Sequence, residues 1–333
     1  MADEQSKKVW VGFDLGGTKM LAAVYDEKFR ALGRKRRKTK GAEGAAAGLE
    51  RIGRTIDEAL ADAKVTPDRV GGIGIGLPGP LDLDRGIIIE SPNLGWKNVK
   101  LQQWLVDRYH CPVALGNDVD VGTFGEYRFG AGKGGRCVLG VFPGTGIGGG
   151  LIYEGRIFRG KTTSCMEIGH MMVDPRGRMC GCGRRGCLET VASRLAIASE
   201  IAVAAYRGET PLVFEAAGTN LADIRSSLIA DAIKAGDQVV DRIVRNAAKR
   251  IGEAVANAAN LVAPDVVVLG GGLVEALSDL FVSEVRDVVS KKVMSSFAGG
   301  IAVQAAQLGD DAAVMGAAAL IADQVAATAG KKG

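Results

Sequence analysis

Val9-Trp10-Val11-Gly12-Phe13-Asp14-Leu15-Gly16-Gly17-Thr18-Lys19 reads as a buried strand running into a glycine-rich turn, and residues 20–25 read as a second strand coming back. Val138-Leu139-Gly140-Val141-Phe142-Pro143-Gly144-Thr145-Gly146-Ile147-Gly148 repeats the plan, with residues 149–153 returning. Each copy is expected to continue into a third short strand. Helical periods follow: Leu49, Ile52, Ile56 and Leu60 in the first half, and Val240, Ile243, Val244, Ala247, Ile251, Val255 and Val262 in the second. Residues 72–77 and 265–269 are apolar runs of the kind found in sheets covered on both faces. The chain therefore reads as two similar α/β layers, which as a pair would flank a ligand cleft. The polar run Gly130-Ala131-Gly132-Lys133-Gly134-Gly135 suits a join between them.

Composition narrows the classes of function. A chain of 333 residues can fill two cores. A formal charge of +4 gives no electrostatic case for nucleic acid. The one basic cluster, Arg30, Arg34, Lys35, Arg36, Arg37, Lys38 and Lys40, has no interleaved aromatics and reads as a solvated hairpin face. No apolar run is expected to reach the ~20 residues of a spanning helix, so no membrane role follows. The polar start of the chain has no signal-peptide core. A cytoplasmic, reducing location follows, in which clustered cysteines read as metal ligands before disulfides. Cys111, Cys137 and Cys165 stand alone and read as small buried residues.

Three turns could cradle phosphate. Gly16-Gly17-Thr18-Lys19 lacks Walker spacing, but its glycines allow positive φ and close backbone approach, so that N–H groups can face an anion. Thr18 adds a hydroxyl, and Asp14 stands at the strand end, where it could hold hydrated Mg²⁺. Gly144-Thr145-Gly146 could clasp the same phosphates, and Gly270-Gly271-Gly272 could admit the adenosine of a nucleotide. Asn117-Asp118 follows the strand-like 113–116 at a helix start. There Asp118 could accept a proton from a hydroxyl, or either residue could simply cap the helix.

Glu167-Ile168-Gly169-His170 and Cys180-Gly181-Cys182-Gly183-Arg184-Arg185-Gly186-Cys187-Leu188-Glu189 place one of only two histidines beside three cysteines. A Cys₃His set matches structural zinc, whose thiolate and imidazole ligands close a tetrahedron. His170, Cys180, Cys182 and Cys187 are the expected ligands. The flanking Glu167 and Glu189 are not needed for the metal and read as groups that a zinc-stapled loop holds for another purpose. Burial or pairing of the three thiols is the alternative.

Together, Asp14 to Lys19, Asn117-Asp118, Glu167 to His170 and the Cys-x-Cys-Gly-x-x-Gly-Cys-x-Glu run resemble the ROK family of bacterial sugar kinases and repressors, in order and spacing across nearly the whole chain. The resemblance implies the actin-like ATPase fold, with two ribonuclease-H-like domains around ATP and sugar. Domains are then expected at 1–130 and 131–310, the first completed by a C-terminal helix from about 311. It implies Asp118 as catalytic base, and Gly79, Asn93, Asn117, Glu167, His170 and Glu189 as sugar contacts. His170 would serve metal and sugar with its two ring nitrogens. Asn93, in Ser91-Pro92-Asn93-Leu94-Gly95-Trp96, is similar to the glucokinase branch and favours glucose. The repressors carry a DNA-binding module before the Asp-x-Gly turn, for which the 13 residues ahead of Asp14 leave no room. Polyphosphate users usually lack the cysteine cluster, so ATP is the expected donor and a homodimer the expected assembly. A sugar sensor without catalysis and a filament-forming actin relative are the competing readings.

Overall fold

The computed structural model describes residues 8–91, 94–160 and 165–330. Contacts divide the chain into two units: Met1–Lys133 with Gly155–Cys165 and Asp310–Gly333, and Gly134–Glu154 with Met166–Gly309. The segment Gly155–Cys165 departs from the division expected from sequence. It groups with the first unit, where Arg159 faces the carboxylates of Asp120 and Asp84. The two-residue strand Arg156–Ile157 belongs to this segment.

The first unit carries a five-stranded sheet in the order Ala31–Lys38, Lys19–Tyr25, Val9–Leu15, Val70–Leu77, Val113–Asn117. The first three strands are antiparallel neighbours and the last two run parallel to Val9–Leu15. Side chains alternate across a strand. Val9, Val11, Phe13 and Leu15 therefore enter one core with Ile52, Ile56 and Leu60 of the helix Ala45–Asp62. Trp10, Gly12 and Asp14 fall on the opposite face.

That face is covered by the C-terminal helix Ala312–Gly330, which packs on Val9–Leu15, Val70–Leu77 and the helix Asp118–Phe129. Its approach depends on missing Cβ atoms. A Cβ on Gly12 would strike the Val314 carbonyl, and one on Gly74 the Ala317 carbonyl. Gly316 and Gly125 do the same where the two helices cross, against the backbone of Val121 and Ala312. Among the described residues, Gly309–Gly330 is the one stretch long and apolar enough to cross a membrane, an exception to the expectation from sequence. Val314, Ala317, Ala318 and Ile321 are buried, and here the apolar composition serves the packing of a core helix.

The basic cluster lies on the edge strand Ala31–Lys38 and is paired within the unit. Arg34 meets Asp311 at 2.8 Å, Arg36 meets Asp310 at 2.6 Å, and Lys35 and Arg37 share Glu58. Charges along an edge also discourage strand addition. This accounts for the cluster without a nucleic-acid partner.

The second unit repeats the arrangement. Ile147–Tyr153 lies antiparallel to Cys137–Pro143, which is flanked in parallel by Val266–Leu269 and then Ala302–Ala305. Its core is covered by Gln238–Val262, whose Val240, Ile243, Val244, Ala247, Ile251 and Val255 are buried. Asp237 caps that helix, accepting from the amides of Val239 and Val240 at 3.0 Å.

Gly74→Ala forces a methyl into the backbone of Ala317 and should cost about 1–3 kcal/mol by overpacking. The expected result is a melting temperature lowered by several degrees with the fold retained. An unchanged melting temperature would show that the helix does not depend on this contact.

Candidate active site and metal centre

In the first unit, carboxylates gather at the C-terminal ends of parallel strands. Asp14 pairs in register with Gly76 of Val70–Leu77, and the next strand along ends at Asn117. A Cβ on Gly76 would meet Val121 and would stand 3.5 Å from Cα of Asp118, so the glycine lets the helix Asp118–Phe129 settle onto the sheet. Burial, with the charges of Asp118 and Asp310, raises the Asp14 carboxyl to about 7; Arg36 opposes this weakly.

The capping question left open by the sequence is resolved at Asn117. Its Oδ1 accepts from Val119 N at 2.9 Å and from Asp120 N at 3.2 Å. Asp118 is the first helical residue, and its Oδ1 accepts from the same Val119 amide at 3.0 Å. A carboxylate there is favoured by the positive end of the helix dipole.

Gly16, Gly17 and Thr18 form the turn between the first two strands, Lys19 opens the second, and the Thr39 hydroxyl donates to the Gly16 carbonyl at 2.7 Å. Gly79 has φ 102° and lies against the Glu90 carbonyl, so it needs glycine on both counts. Asn93 lies outside the described residues.

The second unit holds the remaining candidates. Gly144 N donates to the Gly146 carbonyl at 2.8 Å, closing the turn around Thr145. Among the glycines of the three turns, Gly271 has left-handed backbone, with φ 91°, whereas Gly16, Gly146 and Gly270 are sites of close approach. A Cβ on Gly16 would stand 2.8 Å from the Lys19 carbonyl oxygen, and one on Gly270 would strike the Phe142 ring. Gly149 and Gly169 allow the segment 166–170 to lie backbone against backbone on Ile147–Tyr153. Glu167 is exposed at the head of the 3-10 turn Ile168–His170, whose last residue faces the cysteines.

Cys180, Cys182 and Cys187 sit on a tight loop turned at Gly183 and Gly186, both with positive φ. Cys180 N donates to the Arg184 carbonyl at 2.8 Å, and Leu188 N to the Met171 carbonyl at 2.9 Å, which brings Cys187 beside His170. The Sγ atoms of Cys182 and Cys187 are 3.7 Å apart, and Cys180 Sγ is 3.7 Å from His170 Nδ1. All four ligand atoms fall within 4.8 Å of one another. A tetrahedron with Zn–S of about 2.3 Å has an S–S edge of about 3.8 Å, so this cluster fits zinc. Among the described residues no sulfurs are bonded to each other; Cys180 and Cys187 are buried and Cys182 is exposed. Nδ1 faces the cluster, leaving Nε2 on the other side of the imidazole. Cys111 and Cys137 are buried as expected, whereas Cys165 is half-buried.

Sequence reasoning missed three neighbours of these groups. Arg194 donates from its guanidinium to Thr145 Oγ1 at 3.3 Å and from its backbone to the Gly144 carbonyl at 2.9 Å. Arg36 and Asp310, paired with each other, set the field around Asp14. No spacing rule links any of them to the turns they serve; only the helix-start signal at Ser193 was readable.

Two α/β units, each opening with strand, Gly/Thr turn and strand, define an actin-like ATPase fold, and carboxylates at strand ends beside such turns are the equipment of a phosphotransferase. The ROK family model matches residues 10–324, and the chain belongs to the ROK family. It is 35% identical over 317 residues to a glucokinase of Thermotoga maritima, covering 95% of this chain and 98% of that one. A xylose repressor of Caldicellulosiruptor bescii is 29% identical over 80% of this chain and 66% of its own length. Among solved structures, a ROK family glucokinase from Streptomyces griseus in complex with glucose and AMPPNP superposes with a TM-score of 0.81 at 30% identity, covering 95% of this chain and 99% of that one.

The purified protein should carry one zinc per chain. Cys182→Ser should lose it and melt roughly 5 °C lower or more; full metal content in that variant would exclude the Cys₃His site. Asp14 supplies a pH test. Its folded carboxyl keeps a proton up to about pH 7, whereas an unfolded one releases it near the ordinary value of 3.8. Stability from this group is therefore present at low pH and is lost as pH rises from about 4 through about 7. Asp14→Asn should melt above the wild type by a margin that is small at about pH 4 and largest at about pH 8. A margin independent of pH would contradict the raised value.

Proposed function

We infer that this protein is an ATP-dependent kinase that phosphorylates D-glucose to glucose 6-phosphate. The observation that carries the reading is the pairing of Asp118, first in its helix, with the neighbouring Asp14 at parallel strand ends, in a chain related along its length to ROK glucokinases. In the first unit, Asp14 and the turn of Gly16, Gly17, Thr18 and Lys19 serve the phosphates of ATP. In the second, Gly144, Thr145 and Gly146 form a further phosphate turn, with Arg194 adding a cation beside Thr145. Gly270, Gly271 and Gly272 admit the adenosine.

Asp118 accepts the proton as the sugar 6-oxygen attacks the γ-phosphorus; an O–P bond forms, the bond to the β-phosphate oxygen breaks, and ADP leaves. Little covalent work falls to the protein, so positioning governs the rate. Gly79, Asn93, Asn117, Glu167, His170 and Glu189 hold the sugar. Asn117 does so with its carbonyl oxygen already engaged in the cap, which leaves its amide nitrogen as the group offered. Asp14 would hold hydrated magnesium, which when bound would neutralise charge along the phosphates. Zinc on His170, Cys180, Cys182 and Cys187 is structural, since four protein ligands leave no open position. The chain acts in glycolysis in the cytoplasm, as a homodimer.

Asp118→Asn should keep glucose affinity within about threefold while turnover falls by about 10³ or more. Near-normal turnover would remove Asp118 as the base. ADP release across glucose, mannose, fructose, N-acetylglucosamine and N-acetylmannosamine should be largest with glucose. A larger signal from another sugar would reassign the substrate, and glucose binding with no ADP release would favour a sensor.

A further inference from the structure

Gly144, Thr145 and Gly146 read as a phosphate turn, yet what stands beside Gly146 is the carboxylate of Glu189. Glu189 Oε2 accepts from the amide of Ile147 at 3.0 Å. A Cβ built on Gly146 would stand 3.1 Å from Cδ of Glu189 and would overlap Oε2; its three nearest atoms, chain neighbours aside, all belong to Glu189. The backbone of Gly146 is outside the left-handed region, so an alanine is not excluded by conformation. The position is therefore glycine to leave room for Glu189. The other carboxylate oxygen, Oε1, is 3.6 Å from Cys180 Sγ. A zinc-bound cysteine carries no proton to donate, so in the metal-loaded protein the Ile147 amide is the donor that fixes this carboxylate.

We propose that the Gly146–Ile147 peptide is the seat of the Glu189 carboxylate, so that the second glycine turn positions a sugar ligand as well as serving the nucleotide. Glu189 starts a helical turn immediately after the metal loop, and that loop fixes the chain on one side of the carboxylate. The Ile147 amide fixes it on the other. The carboxylate thus arrives at a set position before any sugar does, which removes an ordering cost from binding. Gly146 and Ile147 are positioning residues here; neither touches sugar in this arrangement. Because the strand Ile147–Tyr153 also supports Gly169 of the segment bearing Glu167 and His170, one strand start carries the support of three proposed sugar ligands.

The inference rests on Glu189 being a sugar ligand, and a double-mutant cycle separates the two claims. Glucose and ADP affinities are measured by calorimetry on zinc-loaded wild type, Gly146→Ala, Glu189→Ala and the double variant, with metal content and melting temperature recorded for each. Gly146→Ala is expected to weaken glucose roughly tenfold or more with its metal content unchanged. In the Glu189→Ala background the same methyl should have almost no further effect on glucose, since the group it displaces is gone. If Glu189→Ala leaves glucose affinity unchanged, the sugar-ligand reading fails. If Glu189→Ala weakens glucose while Gly146→Ala weakens ADP instead, or if the two losses simply add, the seat proposed here is wrong. Should Gly146→Ala lose its metal or its fold, Gly146→Ser in the Glu189→Ala background decides the matter. Restored folding and metal content there place the collision at Glu189, and continued failure places it elsewhere.

Discussion

Close approach of backbone to backbone, possible only where a Cβ is missing, is the constraint on which both units depend. Gly12 and Gly74 let the C-terminal helix rest on the sheet, and Gly125 and Gly316 let that helix cross Asp118–Phe129. Larger residues there would lift the helix and, with it, the start of the helix that carries Asp118. Gly149 and Gly169 perform the same service for the segment holding Glu167 and His170. An interior packed at crystal-like density transmits such displacements instead of absorbing them. Fixed carboxylates at the strand ends are therefore a consequence of glycines buried well behind them.

Charge then distributes the tasks among those carboxylates. Asp14 is pressed by burial and by two neighbouring acids, and it keeps its proton to about neutral pH. Such a site is costly when empty and ionised, and it gains most from a bound cation. If Asp14 holds a cation as proposed, function here would work against stability, as is common where ligands must be met by uncompensated charge. Arg36 moderates the field without cancelling it, since its guanidinium is engaged with Asp310 at 2.6 Å.

The metal cluster acts on a different scale. Its loop has little apolar content of its own, with Cys182 exposed and Met172 and Met179 largely in solvent, so packing contributes little to its shape. The proposed tetrahedral ion would supply the missing constraint. Glu189, directly after the loop, inherits that rigidity, and the amide of Ile147 completes its orientation.

Much of the architecture was legible from periodicity alone. The repeated strand–turn–strand openings, the helices Ala45–Asp62 and Gln238–Val262, and the apolar strands Val70–Leu77 and Val266–Leu269 all follow from spacing that folding preserves. The Cys₃His set was equally readable, because four ligands close together in the chain need only a turn to meet. What the sequence could not supply were relations between residues far apart along it. The grouping of Gly155–Cys165 with the first unit, Arg194 against Thr145, Asp310 beside Asp14 and Glu189 against Gly146 are of this kind. The turn glycines were read as allowing positive φ, yet Gly16, Gly144 and Gly146 lack it, and nothing in the strands and helix that hold Gly12, Gly74 and Gly316 marked those positions as contacts. A missing side chain carries no periodicity or charge to read. Its meaning is set by whatever the tertiary fold brings into the space it leaves.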